Sequence, residues 1–185
     1  MAEQPLHTIQ FKLTRTDRVA PLLDEVIKTV APLLDVPAAR QEEVIFKSKV
    51  VISELLTNTI KHTHQKTTLL EAVIYSNKLC FVRRDYCAPL HFPASPHREA
   101  LSWPLPPNRT GEKIVVYEDD LNALWLTITP TGAEFTVTPK PTEDCNINSL
   151  HEHFGLLLIT LSSDRFHYEY NPQTAENLFD VCIYL

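Results

Sequence analysis

The chain of 185 residues holds only 3 glycines, Gly111, Gly132 and Gly155, and no two of them are near each other. Loops that cradle phosphates with backbone N–H groups need several glycines close together, so a P-loop and a dinucleotide fingerprint are excluded. Long apolar runs are missing as well. Nothing approaches the ~20 residues of a membrane span, and "MAEQPLHTIQFKL" lacks a basic region followed by an apolar one. A soluble, cytoplasmic protein with no membrane partner is therefore expected. Positive charge is sparse: the net charge is -6 and Arg83-Arg84 are the only adjacent arginines. Phosphate backbones need clustered Lys and Arg, so a nucleic-acid surface is excluded. The 4 cysteines (Cys80, Cys87, Cys145, Cys182) show no C-x-x-C spacing. Zinc ribbons and thioredoxin-like motifs lack support, and reduced thiols are expected.

What is present is globular. With 44% hydrophobic and 22% charged residues, the chain fits a single domain, 1–185, with a sizeable insertion. "HTIQFKL" alternates as a first strand. Residues 17–35 carry Val19, Leu22, Leu23, Val26, Ile27, Val30 and Leu33 at helical spacing, with Asp17 as a plausible N-cap. A second helix is predicted from Pro37 to about His62. "TTLLEAVIY" and "KLCFVRRD" form a hairpin around Ser76-Asn77. Six prolines between Cys87 and Pro107 disfavour any long regular element there.

Two or three short strands are then predicted from "EKIVVYED", "ALWLTITP" and "AEFTVTP", with Thr131-Gly132 at a turn. "NSLHEHFGLLLITLSS" (148–163) reads as a helix with Ser149 and Glu152 in capping-box spacing, and "RFHYEYN" and "NLFDVCIYL" close the chain as strands. The order fits an α+β two-layer sandwich, with helices on one face of a mainly antiparallel sheet. Residues 113–138 form either an exposed hairpin edge for a partner or a homodimer, or an extension of the parent sheet. The extension is favoured, because Val115, Leu124, Leu126, Phe135 and Val137 need burial.

Within the second helix, "ISELLTNTIKH" sets Glu54, Asn58 and His62 four residues apart, in one column. Asn58 lies about 40° and His62 about 80° round from Glu54, at the margin of the core-facing stripe. An Asn carboxamide can ligate Mg²⁺ without adding charge, and a Glu one turn earlier can orient or deprotonate an attacking hydroxyl. The same spacing is also common on ordinary helix surfaces. The pairs His62/His64 and His151/His153 do not make metal sites, since residues two apart on a helix diverge. There is no G-x-S-x-G elbow, nothing marks Cys87 as activated, and Trp103 and Trp125 read as core or interface residues.

Taken in order, three segments resemble the GHKL, or Bergerat-fold, ATPases. "KSKVVISELLTNTIKH" (47–62) is similar to that family's N-box, E-x-x-x-N followed by a basic or polar residue. "CFVRRDYCAP" puts Asp85 where the family has the aspartate of its D-x-G-x-G box, and "EHFGLLLITLSS" puts Gly155 in the late glycine turn. The layout looks most like the bacterial anti-sigma-factor serine kinases, over the whole chain except about 86–148. The resemblance implies a histidine-kinase-like ATPase fold with a mixed, mainly antiparallel sheet. It implies Asn58 as Mg²⁺ ligand, Glu54 as catalytic carboxylate, Asp85 as acceptor of the adenine amino group, Gly155 near the phosphates and His62 flanking the nucleotide.

The chain departs from the family at Asp85-Tyr86-Cys87-Ala88-Pro89, where both glycines of the box are absent, and at Glu176-Asn177, where Gly-Thr is usual. The proline-rich insertion stands in the place of the ATP lid. Two functions follow. One is a cytoplasmic regulator that binds Mg-ATP and phosphorylates a serine on a partner, an anti-sigma antagonist or sigma-like protein. The other is a pseudo-ATPase that uses the fold as a protein-interaction module. A third reading, an unrelated α+β binding protein, treats the polar column as accidental.

Overall fold

In the computed structural model of the protein, residues 3–14, 18–62, 67–94, 99–140 and 154–185 are described. Strand β1 (His7–Thr14) buries Phe11 and Leu13 while Gln10 and Lys12 point outward. Helix α1 (Val19–Val30) buries Leu22, Val26 and Val30, an i, i+4, i+8 stripe, and Ala31–Leu33 continues it as one 3-10 turn around Pro32. The expected N-cap Asp17 lies outside the described residues; Arg18 stands at the cap without a side-chain hydrogen bond. Helix α2 (Ala38–His62) starts just after Pro37 and buries Val44, Ser48, Val51, Ile52, Leu55, Leu56 and Thr59 along one face.

Strands β2 (Thr67–Ile74) and β3 (Lys78–Asp85) form the hairpin. The chain then makes a two-stranded ribbon from β4 (His91–Phe92) and β5 (Leu101–Ser102). After it come β6 (Lys113–Glu118), β7 (Asn122–Ile128) and β8 (Gly132–Pro139), helix α3 (Phe154–Leu161), β9 (Arg165–Asn171) and β10 (Glu176–Tyr184). The proposed capping pair Ser149 and Glu152, and His151 and His153, lie outside the described residues.

Eight strands make one sheet in the order β1-β2-β3-β10-β9-β8-β7-β6. This is the large antiparallel sheet of an α+β protein, but the expected mixed character is corrected: every described pairing is antiparallel. The connections explain it. Two helices between β1 and β2 return the chain to the end it left, so β2 must run back along β1. The β2–β3, β6–β7, β7–β8 and β9–β10 links are short turns between neighbouring strands, whereas β3 reaches β6 through residues 86–112 and β8 reaches β9 by way of α3.

Residues 113–139 extend the parent sheet beyond β9, as their apolar pattern requires. Leu124, Leu126 and Phe135 are buried, although Val115 and Val137 are only half-buried. A bulge between Val115 and Tyr117 turns Val116 and Tyr117 inward, and it interrupts the β6 edge that would otherwise invite another strand. Gly132 is obligatory at the β8–β9 contact, because a Cβ there would lie 1.8 Å from the Tyr168 carbonyl oxygen.

On β3, Leu79, Phe81, Arg83 and Asp85 face the helices, and Cys80, Val82 and Arg84 face away. Cys80 stands directly opposite Cys182 of β10 and the two form a disulfide, with a sequence separation of 102. The expectation of reduced thiols is thereby corrected. Sequence spacing says nothing about two strands that become neighbours only through the fold. No helix among the described residues is long and apolar enough to cross a membrane.

Candidate functional site

Helix α3 meets α2 at the polar column. A Cβ on Gly155 would lie 2.6 Å from Glu54 Oε2 and 3.7 Å from Asn58 Nδ2. The fold therefore brings together Glu54 and Asn58 with Gly155, which lies 101 and 97 positions further along the chain. Glycine is favoured here because the first turn of α3 rests on the Glu54 carboxylate. The first turn of α3 thus approaches α2 at Gly155. His62 ends α2, and its side chain lies outside the described residues.

Asp85 ends β3 and is 2% exposed. Its Oδ2 pairs with Arg83 Nη2 at 2.8 Å. Its Oδ1 accepts from Asn177 Nδ2 at 3.0 Å and from the Cys87 backbone N–H at 3.2 Å. Both oxygens are thus engaged within the protein. Arg83 in turn donates from Nη1 to the Leu55 carbonyl of α2 at 2.9 Å, and its guanidinium lies 4.0 Å over the Phe179 ring. Burial lowers the pKa of Arg83, and the Asp85 carboxylate opposes that shift. Through Arg83, Asp85 is tied to the helix turn just before Asn58.

Asn177 stands opposite Asp85 in the β3–β10 register. Besides binding Asp85, its Nδ2 donates to the Cys87 carbonyl at 3.1 Å, and its Oδ1 accepts from the Tyr168 hydroxyl at 2.7 Å. Tyr168 Oη accepts from the Leu90 backbone N–H at 2.9 Å. Burial, above all, pushes the Tyr168 phenol well above its ordinary range, so it remains a neutral donor. The proline-rich segment covers this end of the network. Phe92, Leu101 and Trp103 are buried, and the Trp103 ring meets Tyr168 edge-on at 5.3 Å. The Trp103–Pro104 bond is cis. Arg83 Nε and Trp103 Nε1 have no hydrogen-bond partner.

Sequence reasoning missed Arg83, Asn177 and Tyr168. One signal was present: strand alternation in "CFVRRD" puts Arg83 on the same inward face as Phe81 and Asp85. A buried arginine two residues before a buried aspartate calls for a pair. Elsewhere, an open groove of about 550 Å³ runs along α1 between Ala20, Pro21, Asp24 and Lys28, away from the polar column. No protein-family model matches the chain, and a search of the curated proteins returns no match.

Proposed function

We propose that this chain is a protein-interaction module on a Bergerat-like scaffold, with the adenine position taken over by its own side chains. The observation that carries the reading is the burial of Asp85, 2% exposed, among three internal donors: Arg83 on one oxygen, Asn177 and the Cys87 N–H on the other. An adenine amino group needs a carboxylate acceptor position that it can reach, and the one position these donors leave on Oδ2 is shut off from solvent by the burial of the carboxyl. Such a module acts by presenting a surface to a regulatory partner, and its binding is independent of nucleotide.

The test is biochemical. The protein should release no phosphate from Mg-ATP above the blank, and Glu54→Ala should behave identically. A partner recovered in nucleotide-free buffer should stay bound when Mg-ATP is added. ATP turnover lost on Glu54→Ala, or a partner released by Mg-ATP, overturns the proposal.

A second reading is favoured by one observation, the convergence of Glu54, Asn58 and Gly155 at the α2–α3 contact. In it the chain is a Mg-ATP-dependent serine kinase, with Asn58 on the metal and Glu54 on the acceptor hydroxyl. It requires α3 to withdraw from Glu54 and the buried Asp85 carboxylate to become accessible. The residue types fit magnesium and ATP; the partners they already have favour the first reading.

A further inference from the structure

The face of the sheet turned away from the helices carries a second cluster that the proposed function does not use. Cys80 of β3 and Cys182 of β10 face each other across the ladder, and Asp180 lies two residues before Cys182 on the same face. The two sulfurs and an Asp180 carboxylate oxygen all lie within 4.8 Å of one another, and Asp180 Oδ1 is 3.5 Å from Cys182 Sγ. From β9, Arg165 pairs with Asp180 and approaches Cys182 Sγ at 3.5 Å. His167, Glu169 and Lys78 also face Asp180 closely enough to act on it electrostatically.

We infer that, when the disulfide is reduced, Cys80, Cys182 and Asp180 form a site for a thiophilic divalent cation of the zinc type, so that metal binding and oxidation exclude each other at one place. Two thiolates and one carboxylate are a ligand set that zinc accepts, with water in the fourth position. Zn–S bonds of about 2.3 Å at the tetrahedral angle put the two sulfurs about 3.8 Å apart. Side chains facing each other across one ladder reach that separation once the S–S bond is broken. Charge agrees. The three ligands carry three negative charges, Arg165 supplies one positive charge, and a divalent cation brings the cluster to neutrality.

The cysteines are 4% and 1% exposed, whereas the Arg165 and Asp180 side chains are 48% and 20% exposed. The cation therefore enters past Arg165 and Asp180. The chemistry balances with a dithiol as reductant. Two electrons and two protons pass from the dithiol to the Cys80–Cys182 bond, and the reductant closes to its own disulfide. Binding then forms two metal–sulfur bonds and releases the two thiol protons to solvent.

The experiment titrates Cd²⁺, a spectroscopic stand-in for Zn²⁺, into the full chain after reduction with dithiothreitol and removal of the reagent. One cation per chain should bind with thiolate-to-cadmium absorption in the ultraviolet, and Zn²⁺ should displace it. The oxidised protein, folded by circular dichroism, should give no such band. Cys87→Ala/Cys145→Ala should keep the band. Cys80→Ser/Cys182→Ser should lose it, and Asp180→Asn should weaken binding by more than the roughly 10–100-fold that loss of an outer-shell partner costs. The inference is overturned if the reduced protein gives no band, if the oxidised protein gives the same band, or if the band follows Cys87 and Cys145. Unchanged affinity in Asp180→Asn removes the carboxylate from the site.

Discussion

Replacing Asp85 by asparagine turns an amide N–H₂ toward Arg83 and leaves the guanidinium buried without its carboxylate. The two side chains are 3% and 6% exposed, so solvent screening does not reduce the effect. Breaking one side of a buried pair costs about 3–5 kcal/mol. For a chain of this size each kcal/mol shifts the melting temperature by about 2–4 °C, so Asp85→Asn should melt about 6–20 °C below the wild type. In Arg83→Met/Asp85→Asn the buried cation is gone, while the Asn oxygen can still accept from Asn177 and the Cys87 N–H. That double variant should recover much of the loss, with a coupling energy of about 2–3 kcal/mol. Thermal and urea unfolding followed by circular dichroism measure all four corners of the cycle. A melting temperature of Asp85→Asn within 2 °C of wild type (about the effect of 1 kcal/mol or less), or no coupling to Arg83, refutes the internal pairing.

Five further outcomes follow from the same structure. Gly155→Ala meets only the end of the Glu54 side chain, which can swing aside, and it gains helix propensity of up to about 1 kcal/mol; its stability should stay within about 1 kcal/mol of wild type. Gly132→Ala meets Tyr168 backbone at 1.8 Å and should unfold well below wild type in the same melts. Glu43, flanked by Lys47 and Arg40, has its carboxyl held down from the ordinary 4.5 to about 2, and carbon-detected NMR titration should find that midpoint. Its small contribution to stability is present above the ordinary value and lost as pH falls through about 2; Lys47→Met should raise the midpoint.

Tyr168 has the opposite sign. Its folded pKa lies above the unfolded one, so the stability it contributes is complete below about pH 10 and lost as pH rises beyond that. Tyr168→Phe should flatten the alkaline limb of the pH–stability curve, and an unchanged limb would contradict the assignment. Reducing the Cys80–Cys182 bond, which closes a span of 102 residues, should lower stability by about 2–5 kcal/mol, read by urea unfolding with and without dithiothreitol.

The elements were legible where the apolar period is clean. The β2–β3 hairpin, the long α2 and the two closing strands sit where alternation and helical spacing put them. The column of Glu54 and Asn58 was legible from its spacing, and the resemblance put Gly155 at the same site, but the contact of Gly155 with Glu54 was not read from the sequence. Long-range pairing was not. Cys80 finds Cys182, and Asp85 finds Asn177, only because β10 inserts between β3 and β9, and no local signal encodes that insertion. Arg83 lay between these cases. Its alternation with Asp85 was visible, yet Arg83 was read only together with Arg84, as an adjacent pair too small for a nucleic-acid surface. The antiparallel pairing of β1 with β2 follows from the paired helices between them, a consequence of topology that the individual segments do not carry.

Whether Asp85 is held internally or offered to adenine is decided most directly by calorimetric titration of Mg-ATP into the wild-type protein. No heat of binding is predicted at millimolar nucleotide, with an unchanged melting temperature. Saturable binding of one nucleotide per chain, weakened by both Asn58→Ala and Asp85→Asn, would contradict the account and restore the kinase reading.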